Sequence, residues 1–530
     1  MFLKYRFNRF KRHLRARSLV KARWNLPDIS LLSSTNLINK NILIATSTGS
    51  NWPCSSFDSL LASALTLRGC NVSFLICDGI LPACQECDSQ WISSNDVINN
   101  NIKSVCKDCY KPAKNMLEPL GIKIHKYSDF ISSDKINDIN NSQIFNYNDE
   151  NTKAGTCRYF GIGQLKSSKH KTVFNQYYKA NLITKEVINN LISIESPDIA
   201  IVHHGIYVPQ GIISDELSKK NIKTYVWGPS YRKGTVLFCH DQTYHHAMIS
   251  EDNSLWENYD FKQDDNKRLM KYINNKYTGN NDWISFQSGK KQSKIEIYNK
   301  YNLDPNKKVI GLLTNVIWDA QLHFKNSCFN SMLDWLFYTI DYFKEKQDTQ
   351  LLIRIHPAEI HGTVPSNQKV FDEIQAKYKS LPINIKIIKP EDDTSTYSAM
   401  DVCNTILVYG TKTAIELSTL GKCVIVSGES WARGKGFTID IESIDDYQNK
   451  LENIHKYNRL SDDLIIRAKK YAYYLFFKRM IPVKALKPLK KFGPYQVSID
   501  KISELEPGND KGLDTICNAI INNKEFIYDE

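Results

Sequence analysis

The sequence predicts an α/β protein with two Rossmann-like domains. Its 530 residues are enough for two domains of ordinary size with extensions. An apolar run, a helical period and a second apolar run over residues 41–76 predict a parallel βαβ unit near the start. Further short apolar runs in both halves of the chain end in polar residues, which is typical of buried parallel strands.

The first predicted unit comprises a strand at 41–46, a helix at 57–67 and a strand at 72–76. The loop after its first strand contains Gly49 and Ser50. It lacks the Gly-x-Gly-x-x-Gly pattern that dinucleotide-binding folds use to approach a pyrophosphate. The sequence therefore does not favour a dinucleotide cofactor.

The most informative stretch is residues 351–437. One predicted strand runs into Arg354-Ile355-His356-Pro357, and a later one runs into Tyr409-Gly410-Thr411-Lys412-Thr413. Ligands of open α/β sheets bind beyond the carboxyl ends of the strands. Backbone N–H groups, hydroxyls and a lysine at a helix start suit a diphosphate or a phosphosugar. Glu416 follows Thr413 by three residues, so a helix-capping box is the alternative interpretation of that pair.

These motifs resemble the C-terminal half of bacterial capsule-polysaccharide glycosyltransferases and, more loosely, bacterial sialyltransferases, Kdo transferases and polyol-phosphate polymerases. The resemblance covers residues 310–447 well and the N-terminal half only loosely. It includes the segment Thr314-Asn315-Val316-Ile317-Trp318-Asp319. These families have two facing Rossmann-like domains, the GT-B arrangement, and a His-Pro motif that holds a cytidine nucleotide donor.

The resemblance implies the following organisation. An acceptor domain spans residues 36–295 and a nucleotide-sugar domain spans 296–460, while helices over 461–530 pack back across the junction. The implied donor-binding residues are Asn315, Arg354, His356, Tyr409, Gly410, Thr411, Lys412, Thr413 and Glu416. Glu416 would hold a ribose hydroxyl, and structuring of the strand end is the alternative role for Arg354.

A second basic loop follows the predicted strand at 423–426. It places Arg433 and Lys435 between glycines, a composition suited to a charged sugar or phosphate. A solvated charged loop is the alternative. We include both residues in the predicted donor site.

The N-terminal half has two polar clusters after predicted strands. Because they follow strand ends, we expect them to line the acceptor site, with the candidate residues His204, Tyr207, Arg232, Lys233 and His245. The two cations would suit an acidic or phosphorylated acceptor such as a lipid-linked glycan. His204 and Asp319 compete as the catalytic base. The alternatives are a structural buried histidine for His204 and a helix N-cap for Asp319.

Four cysteines have the spacing of a zinc site. Cys84-x-x-Cys87 and Cys106-x-x-Cys109 are separated by eighteen residues, within the range of four-cysteine zinc sites. We predict a structural Zn²⁺ in a loop over residues 80–112, inserted in the N-terminal domain. A closed four-thiolate site has no open position for water, so no catalytic metal is predicted. Redox thiols and unpaired cysteines are the alternatives.

The net charge of +12 is concentrated in a basic leader, residues 1–35. Residues 1–24 alone contain nine cations and no acid, interleaved with aromatic side chains. This composition suits an anionic membrane surface, and a disordered leader or a nucleic-acid arm are the alternatives. The sequence shows no secretory signal and no run of about 18 apolar residues, so we predict a cytoplasmic protein, peripheral on the plasma membrane.

The predicted activity is transfer of a sugar from a nucleotide-sugar donor, with a CMP-linked acidic sugar such as CMP-Kdo as the first guess. The acceptor would be a growing surface polysaccharide or a lipid-linked glycan. A CDP-polyol phosphotransferase and a nucleotide-sugar 2-epimerase are the alternatives within related folds. A zinc-containing nucleic-acid-binding protein is the alternative from another class, but it leaves the two strand-end motifs unexplained, so we expect no nucleic-acid partner.

Overall fold

The computed structural model describes residues 38–143, 146–277, 282–283, 291–320, 327–488 and 495–530. The predicted basic leader lies outside these residues, so its membrane role stays a prediction. None of the helices that the structure describes combines the length and the apolar character needed to cross a bilayer.

The strands are short and, along the chain, alternate mainly with helices. They are β1 (Asn41–Ser47), β2 (Asn71–Ile76), β3 (Lys123–Lys126), β4 (Ile199–His203), β5 (Lys223–Pro229), β6 (Thr235–His240), β7 (Lys308–Leu313), β8 (Thr349–Arg354), β9 (Ile385–Ile388), β10 (Thr405–Val408), β11 (Cys423–Val426), β12 (Ile439–Asp440), β13 (Ile481–Pro482), β14 (Leu486–Pro488) and β15 (Tyr495–Val497).

The α-helices of the described residues fill the connections between these strands. They are α1 (Trp52–Leu67), α2 (Ser94–Ile98), α3 (Lys103–Leu117), α4 (Ser133–Asn141), α5 (Glu150–Phe160), α6 (Ser168–Glu195), α7 (Gln210–Lys219), α8 (Tyr244–Ser250), α9 (Ser254–Glu257), α10 (Gln263–Asn274), α11 (Lys294–Lys300), α12 (Met332–Lys344), α13 (Ala358–His361), α14 (Val370–Lys377), α15 (Thr396–Asp401), α16 (Thr413–Thr419), α17 (Ile444–Glu452), α18 (Asp462–Tyr473) and α19 (Lys511–Asn522).

The chain forms two compact units. Among the described residues, unit 1 takes those of 38–160, 165–247 and 478–530, and unit 2 takes those of 161–164 and 248–477. Unit 1 contains a seven-stranded sheet in the order β13-β6-β5-β4-β1-β2-β3. The strands from β5 to β3 pair in parallel, whereas β6 and β13 add antiparallel partners at one edge.

Unit 2 contains a six-stranded sheet in the order β12-β11-β10-β7-β8-β9, and all of its pairings are parallel. Strands β8 and β10 flank β7 and are buried almost throughout, as expected for a parallel sheet with both faces covered. Trp335 of α12 is fully buried in the core beside β7 and β8. The predicted α/β class with two Rossmann-like parallel sheets is confirmed.

The unit boundary differs from the predicted one at residue 295, because the segment after Ala247 belongs to unit 2. Trp256 is buried there, with its ring centroid 5.1 Å from that of Tyr471 on α18. Glu257 forms an ion pair with Arg467 of the same helix. These contacts with the second half of the chain assign the segment after Ala247 to unit 2. A sequence pattern does not reveal such contacts.

The last part of the predicted tail, residues 478–530, belongs to unit 1. The guanidinium of Arg479 is buried and donates to the carbonyls of Phe526, at 2.6 Å, and Phe238, at 3.1 Å. Tyr225 of β5 donates to the carbonyl of Ile520 on α19 at 3.2 Å. The tail is therefore part of the core of unit 1.

We predict that Gly512→Ala destabilises the docking of α19. Alanine at an open helical position is favourable by about 1 kcal/mol over glycine. At this position a Cβ atom would stand 1.6 Å from the carbonyl oxygen of Pro482, which is backbone and cannot turn away. We expect the free energy of unfolding to fall by roughly 1–3 kcal/mol, measured by urea denaturation.

The matched control is Asn518→Ala, at an exposed position of the same helix. Its effect should stay within about 0.5 kcal/mol. Equal stability of the Gly512→Ala variant and the native protein would contradict the close packing of α19 on β13.

Candidate functional site

A cavity of about 60 Å³, lined by several polar side chains, lies at the carboxyl ends of β7, β8 and β10 in unit 2. The structure brings His356 to the same cavity as the hydroxyl residues Thr411 and Thr413. Its lining residues are Leu313, Arg354, His356, Pro357, Thr396, Tyr397, Thr411 and Thr413. The two motifs that sequence analysis singled out therefore meet at one edge of the sheet.

His356 is held in one orientation and one tautomer. Its Nδ1 accepts a hydrogen bond from the backbone N–H of Ala358 at 3.1 Å. Burial, together with the positive charges of Arg354 and Lys412, lowers the pKa of His356 to about 4. The ring is therefore neutral at neutral pH and carries its proton on Nε2. A neutral donor beside two cations suits an anionic ligand.

Thr314 and Asn315 connect the two strand-end motifs. The Thr314 hydroxyl accepts from the backbone N–H of His356 at 3.0 Å. The Asn315 side chain accepts from the N–H of Gly410 and donates to its carbonyl, both at 3.3 Å. Asn315 and Gly410 are not among the cavity's lining residues. The hydrogen bonds between Asn315 and Gly410 fix the loop that carries Thr411. Direct binding of the nucleotide-sugar donor by either of these two residues stays a prediction.

Arg354 has the structural role that sequence analysis gave as an alternative. Its side chain is almost fully buried and donates to the backbone carbonyls of Lys389 and, at 3.3 Å, Asp392. These bonds tie the end of β8 to the segment after β9. The guanidinium still lines the cavity and contributes positive charge there.

Glu416 lies at the centre of a buried charge network beside the cavity. The carboxylate is fully buried and accepts from Lys412 Nζ at 2.7 Å and from the hydroxyl of Tyr397. Lys276 Nζ stands 3.2 Å from the same carboxylate, and it also pairs with Asp282. Burial raises the pKa of Glu416, but the two lysines outweigh it and hold the pKa at about 2. Glu416 therefore stays ionised.

The capping-box interpretation of Thr413 and Glu416 is wrong. Lys412 is the N-cap of α16 and makes no side-chain capping bond, while the hydroxyl of Thr411 accepts from the N–H of Thr413 at 3.3 Å. Glu416 is not among the cavity's lining residues and reaches the lining through Tyr397 and Lys412, so its ribose-binding role stays a prediction. Sequence reasoning missed Lys276 and Asp282, because they lie in another part of the chain with no motif around them.

The predicted donor residues Tyr409, Arg433 and Lys435 are not among the cavity's lining residues. The hydroxyl of Tyr409 donates to the carbonyl of Phe329 at 3.2 Å inside the core. Arg433 donates to the carbonyl of Ile441 at 2.7 Å. Both therefore bind backbone within unit 2.

The basic loop is not a solvated surface loop at Lys435. That side chain is almost fully buried, and its Nζ donates to the carbonyls of Ile249 at 3.2 Å and Glu251 at 3.0 Å. Burial lowers the pKa of Lys435. The structure thus favours a structural role for Lys435 over phosphate binding.

In unit 1, His204 lies in an aromatic cluster. Its ring stacks on Tyr207 with centroids 5.0 Å apart, and the ring of His245 is 5.3 Å away. Burial lowers the pKa of His204 to about 4, helped by the charge of Arg158. Its Nδ1 is buried with no hydrogen-bond partner among the described residues, and its φ of 64° is rare for a histidine. A strained backbone and a buried polar atom without a hydrogen-bond partner are both features of functional sites.

The remaining predicted site residues, Arg232, Lys233 and Asp319, lie in two other parts of the structure. Arg232 donates to the carbonyl of Met480 at 3.2 Å, and Lys233 is exposed beside it. Asp319 is half-buried in the turn after β7, where its N–H donates to the carbonyl of Val316 at 3.1 Å. Acceptor binding by Arg232 and Lys233 and base catalysis by Asp319 stay predictions.

The cysteines of the predicted zinc loop are all free thiols. Cys84, Cys106 and Cys109 line one small cavity together with Cys77, whereas Cys87 is packed into the apolar core of unit 1. As the side chains stand, no three or more His, Cys, Asp or Glu residues in the described segments are placed to hold a metal ion. The predicted zinc ion therefore stays a prediction.

No protein-family model matches this chain, and no curated protein sequence does. Among solved structures, it is similar to the beta Kdo 2,4 transferase KpsC of Thermosulfurimonas dismutans, at 11% identity over 62% of this chain and 88% of that chain, with a TM-score of 0.35. The beta Kdo 2,7 transferase KpsC of the same organism gives 14% identity over 64% and 90%, with a TM-score of 0.33. A UDP-GlcNAc 2-epimerase from Neisseria meningitidis gives 11% identity over 81% and 98%, with a TM-score of 0.26. Identities and scores at this level assign no activity.

We predict that three buried histidines contribute stability that is lost as the pH falls from about 6.5 to about 4. The folded pKa values of His203, His204 and His356 lie at about 3, 4 and 4, below the ordinary value of 6.5. At these three positions the unfolded chain therefore binds more protons than the folded chain in this window, so their contribution favours unfolding in acid. Burial raises the pKa of Asp58 to about 8 and that of Glu359 to about 7, which acts in the opposite direction, so the histidine contribution is measured by comparing variants. A shift of this size at His356 is worth up to about 3 kcal/mol.

Urea denaturation at pH 7 and pH 5 tests this dependence. His356→Gln removes one titrating group and should reduce the difference between the two pH values. An unchanged difference would show that His356 is not buried in the neutral form.

A separate prediction concerns the charge network. Glu416→Gln leaves the buried ammonium of Lys276 with only part of its counter-charge, so we expect a loss of roughly 3 kcal/mol in the free energy of unfolding. Glu452→Gln, at an exposed position of α17, is the control and should change stability by less than about 0.5 kcal/mol. Equal urea midpoints for both variants would rule out the network as a source of stability.

Proposed function

We propose that this protein transfers a sugar from a nucleotide-sugar donor to a glycan acceptor. The observation that supports the proposal is the cavity at the strand ends of unit 2, where a neutral His356, the hydroxyls of Thr411 and Thr413 and the charge of Arg354 meet. Open parallel sheets bind their ligands at this edge. The same groups are hydrogen-bond donors suited to phosphate oxygens.

The cavity is sized for part of a donor. Its volume of about 60 Å³ suits a single phosphate group or the edge of a sugar, whereas whole-ligand pockets usually exceed about 300 Å³. We assign the phosphate next to the scissile bond to this cavity, and the base and the sugar extend beyond it. Groups fixed before the reaction can stabilise the negative charge that develops on a leaving phosphate without reorganising.

Hydrogen bonds to the surrounding backbone fix the orientation of the segments that carry the hydrogen-bond donors of the cavity. Thr314 binds the backbone of His356, and Asn315 binds the backbone of Gly410, so both lining segments are connected to the loop after β7. Lys412 is held by Glu416 and supplies positive charge from just outside the lining. We assign phosphate neutralisation to Lys412 and Arg354 and hydrogen bonding to His356.

The acceptor hydroxyl needs a base. His204 has a ring nitrogen, Nδ1, with no hydrogen-bond partner among the described residues, but its low pKa makes it a weak base at neutral pH. Asp319, in the turn that follows β7, is the second candidate. Loss of turnover with unchanged donor binding in His204→Ala but not in Asp319→Asn would assign the role to His204.

The first-choice donor is a CMP-linked acidic sugar such as CMP-Kdo, because the Arg-x-His-Pro and Tyr-Gly-Thr-Lys-Thr motifs resemble those of transferases that use cytidine nucleotides. The first-choice acceptor is a surface polysaccharide or a lipid-linked glycan. The basic leader would then bring the protein to an anionic membrane surface, where such acceptors lie.

Donor binding is the direct test. In a thermal-shift screen of CMP, CDP, UDP and GDP, we expect the cytidine nucleotides to raise the Tm most. His356→Ala should weaken this binding at least tenfold, because it removes a hydrogen bond to a charged group, worth about 1.5–3 kcal/mol.

The control is His361→Ala, at an exposed position five residues further along. It should bind as the native protein does. Normal nucleotide binding by the His356→Ala variant would contradict the proposal that this cavity binds the donor phosphate. Turnover of UDP-GlcNAc without an acceptor would replace glycosyl transfer by epimerisation, and release of CMP from a CDP-polyol would replace it by phosphotransfer.

A further inference from the structure

Four cysteines of unit 1 surround a cavity of about 20 Å³ at the carboxyl edge of the sheet. Cys77 directly follows β2, Cys84 lies in the loop that continues from it, and Cys106 and Cys109 project from one face of α3. A cavity of this size accommodates one water molecule or one ion. The proposed glycosyl transfer makes no use of this cluster.

This set differs from the one that the spacing of the two Cys-x-x-Cys motifs predicts. Cys87 is fully buried and belongs to the apolar core of unit 1, whereas Cys77, outside both motifs, lines the cavity. The thiol of Cys87 packs into the core beside the thiol of Cys84, to which it is hydrogen-bonded, and the fourth thiol that lines the cavity comes from the end of β2.

Backbone N–H groups already point at the sulfur atoms. Gly49 and Ser50 donate to Cys109 Sγ at 3.0 and 3.3 Å, and Gly79 donates to Cys77 Sγ at 3.4 Å. Such bonds orient the sulfurs of a metal site. They come from the loops after β1 and β2, which approach α3 from two sides.

The close approach of these loops depends on two glycines. A Cβ at Gly49 would stand 2.2 Å from the Cβ of Ala113, and a Cβ at Gly79 would stand 3.3 Å from the Cβ of Cys106. The φ of Gly79 is +102°, which L side chains rarely adopt. The backbone is thus arranged so that three chain segments converge on the thiols.

We propose that Cys77, Cys84, Cys106 and Cys109 bind one zinc ion that fastens the loops after β1 and β2 to α3. Four soft thiolates in a site of single-ion size select Zn²⁺ over hard cations. No three of these side chains are placed to hold an ion as they stand, so binding requires them to turn about their Cα–Cβ bonds into the cavity. With four thiolates bound, the ion has no position for substrate, and its role is structural.

The metal content of the full-length protein tests this inference independently of glycosyl transfer. Protein made in zinc-supplemented medium should contain one zinc per chain by inductively coupled plasma mass spectrometry. Cys77→Ser should lose that zinc, and the matched control Cys87→Ser should keep it. No zinc in the native protein after reconstitution, or loss from Cys87→Ser with retention by Cys77→Ser, would overturn the assignment.

If the Cys77→Ser variant fails to fold, a second measurement still tests the assignment of the ligands. Cobalt bound in place of zinc absorbs visible light according to the number of thiolates around it. The native protein and Cys87→Ser should give the same four-thiolate spectrum. A weaker, three-thiolate spectrum for Cys87→Ser would show that Cys87, not Cys77, is the ligand.

Discussion

The parallel pairing of β7 with β8 on one side and β10 on the other is the constraint on which the candidate site depends. In this register Leu313 pairs with both Arg354 and Val408, so the three strands end at the same level. The Arg-x-His-Pro segment and the Tyr-Gly-Thr-Lys-Thr segment therefore leave the sheet side by side. A different strand order would separate them.

The low-dielectric surroundings determine the protonation states of the titratable groups near this edge of the sheet. Glu416 stays ionised because Lys276 and Lys412 are close, whereas His356 stays neutral because it is buried and because the charges of Arg354 and Lys412 beside it are positive. The same burial that fixes these states makes each partner costly to remove. The site therefore combines a neutral hydrogen-bond donor with held positive charge, which is a favourable combination for a phosphate that gains charge as a bond breaks.

The sequence was sufficient for the α/β class and for the meeting of the two strand-end motifs, because buried parallel strands leave a strong local pattern. It was insufficient wherever a side chain finds its partner far along the chain. Lys435 looked like a ligand-binding cation and is buried against the carbonyls of Ile249 and Glu251. Lys276 carried no motif and lies beside Glu416.

Unit 1 is discontinuous in the chain, and this affects the order in which the protein can fold during synthesis. Strand β13, which pairs with β6 at the edge of the sheet, comes from residues made after all of unit 2. The ribosome therefore exposes an unfinished sheet, with a free backbone edge, for the time needed to make about 240 further residues at roughly 5–20 per second. Unit 2 is complete before that edge is covered, so the nascent chain passes through a stage in which only its middle part has a finished core.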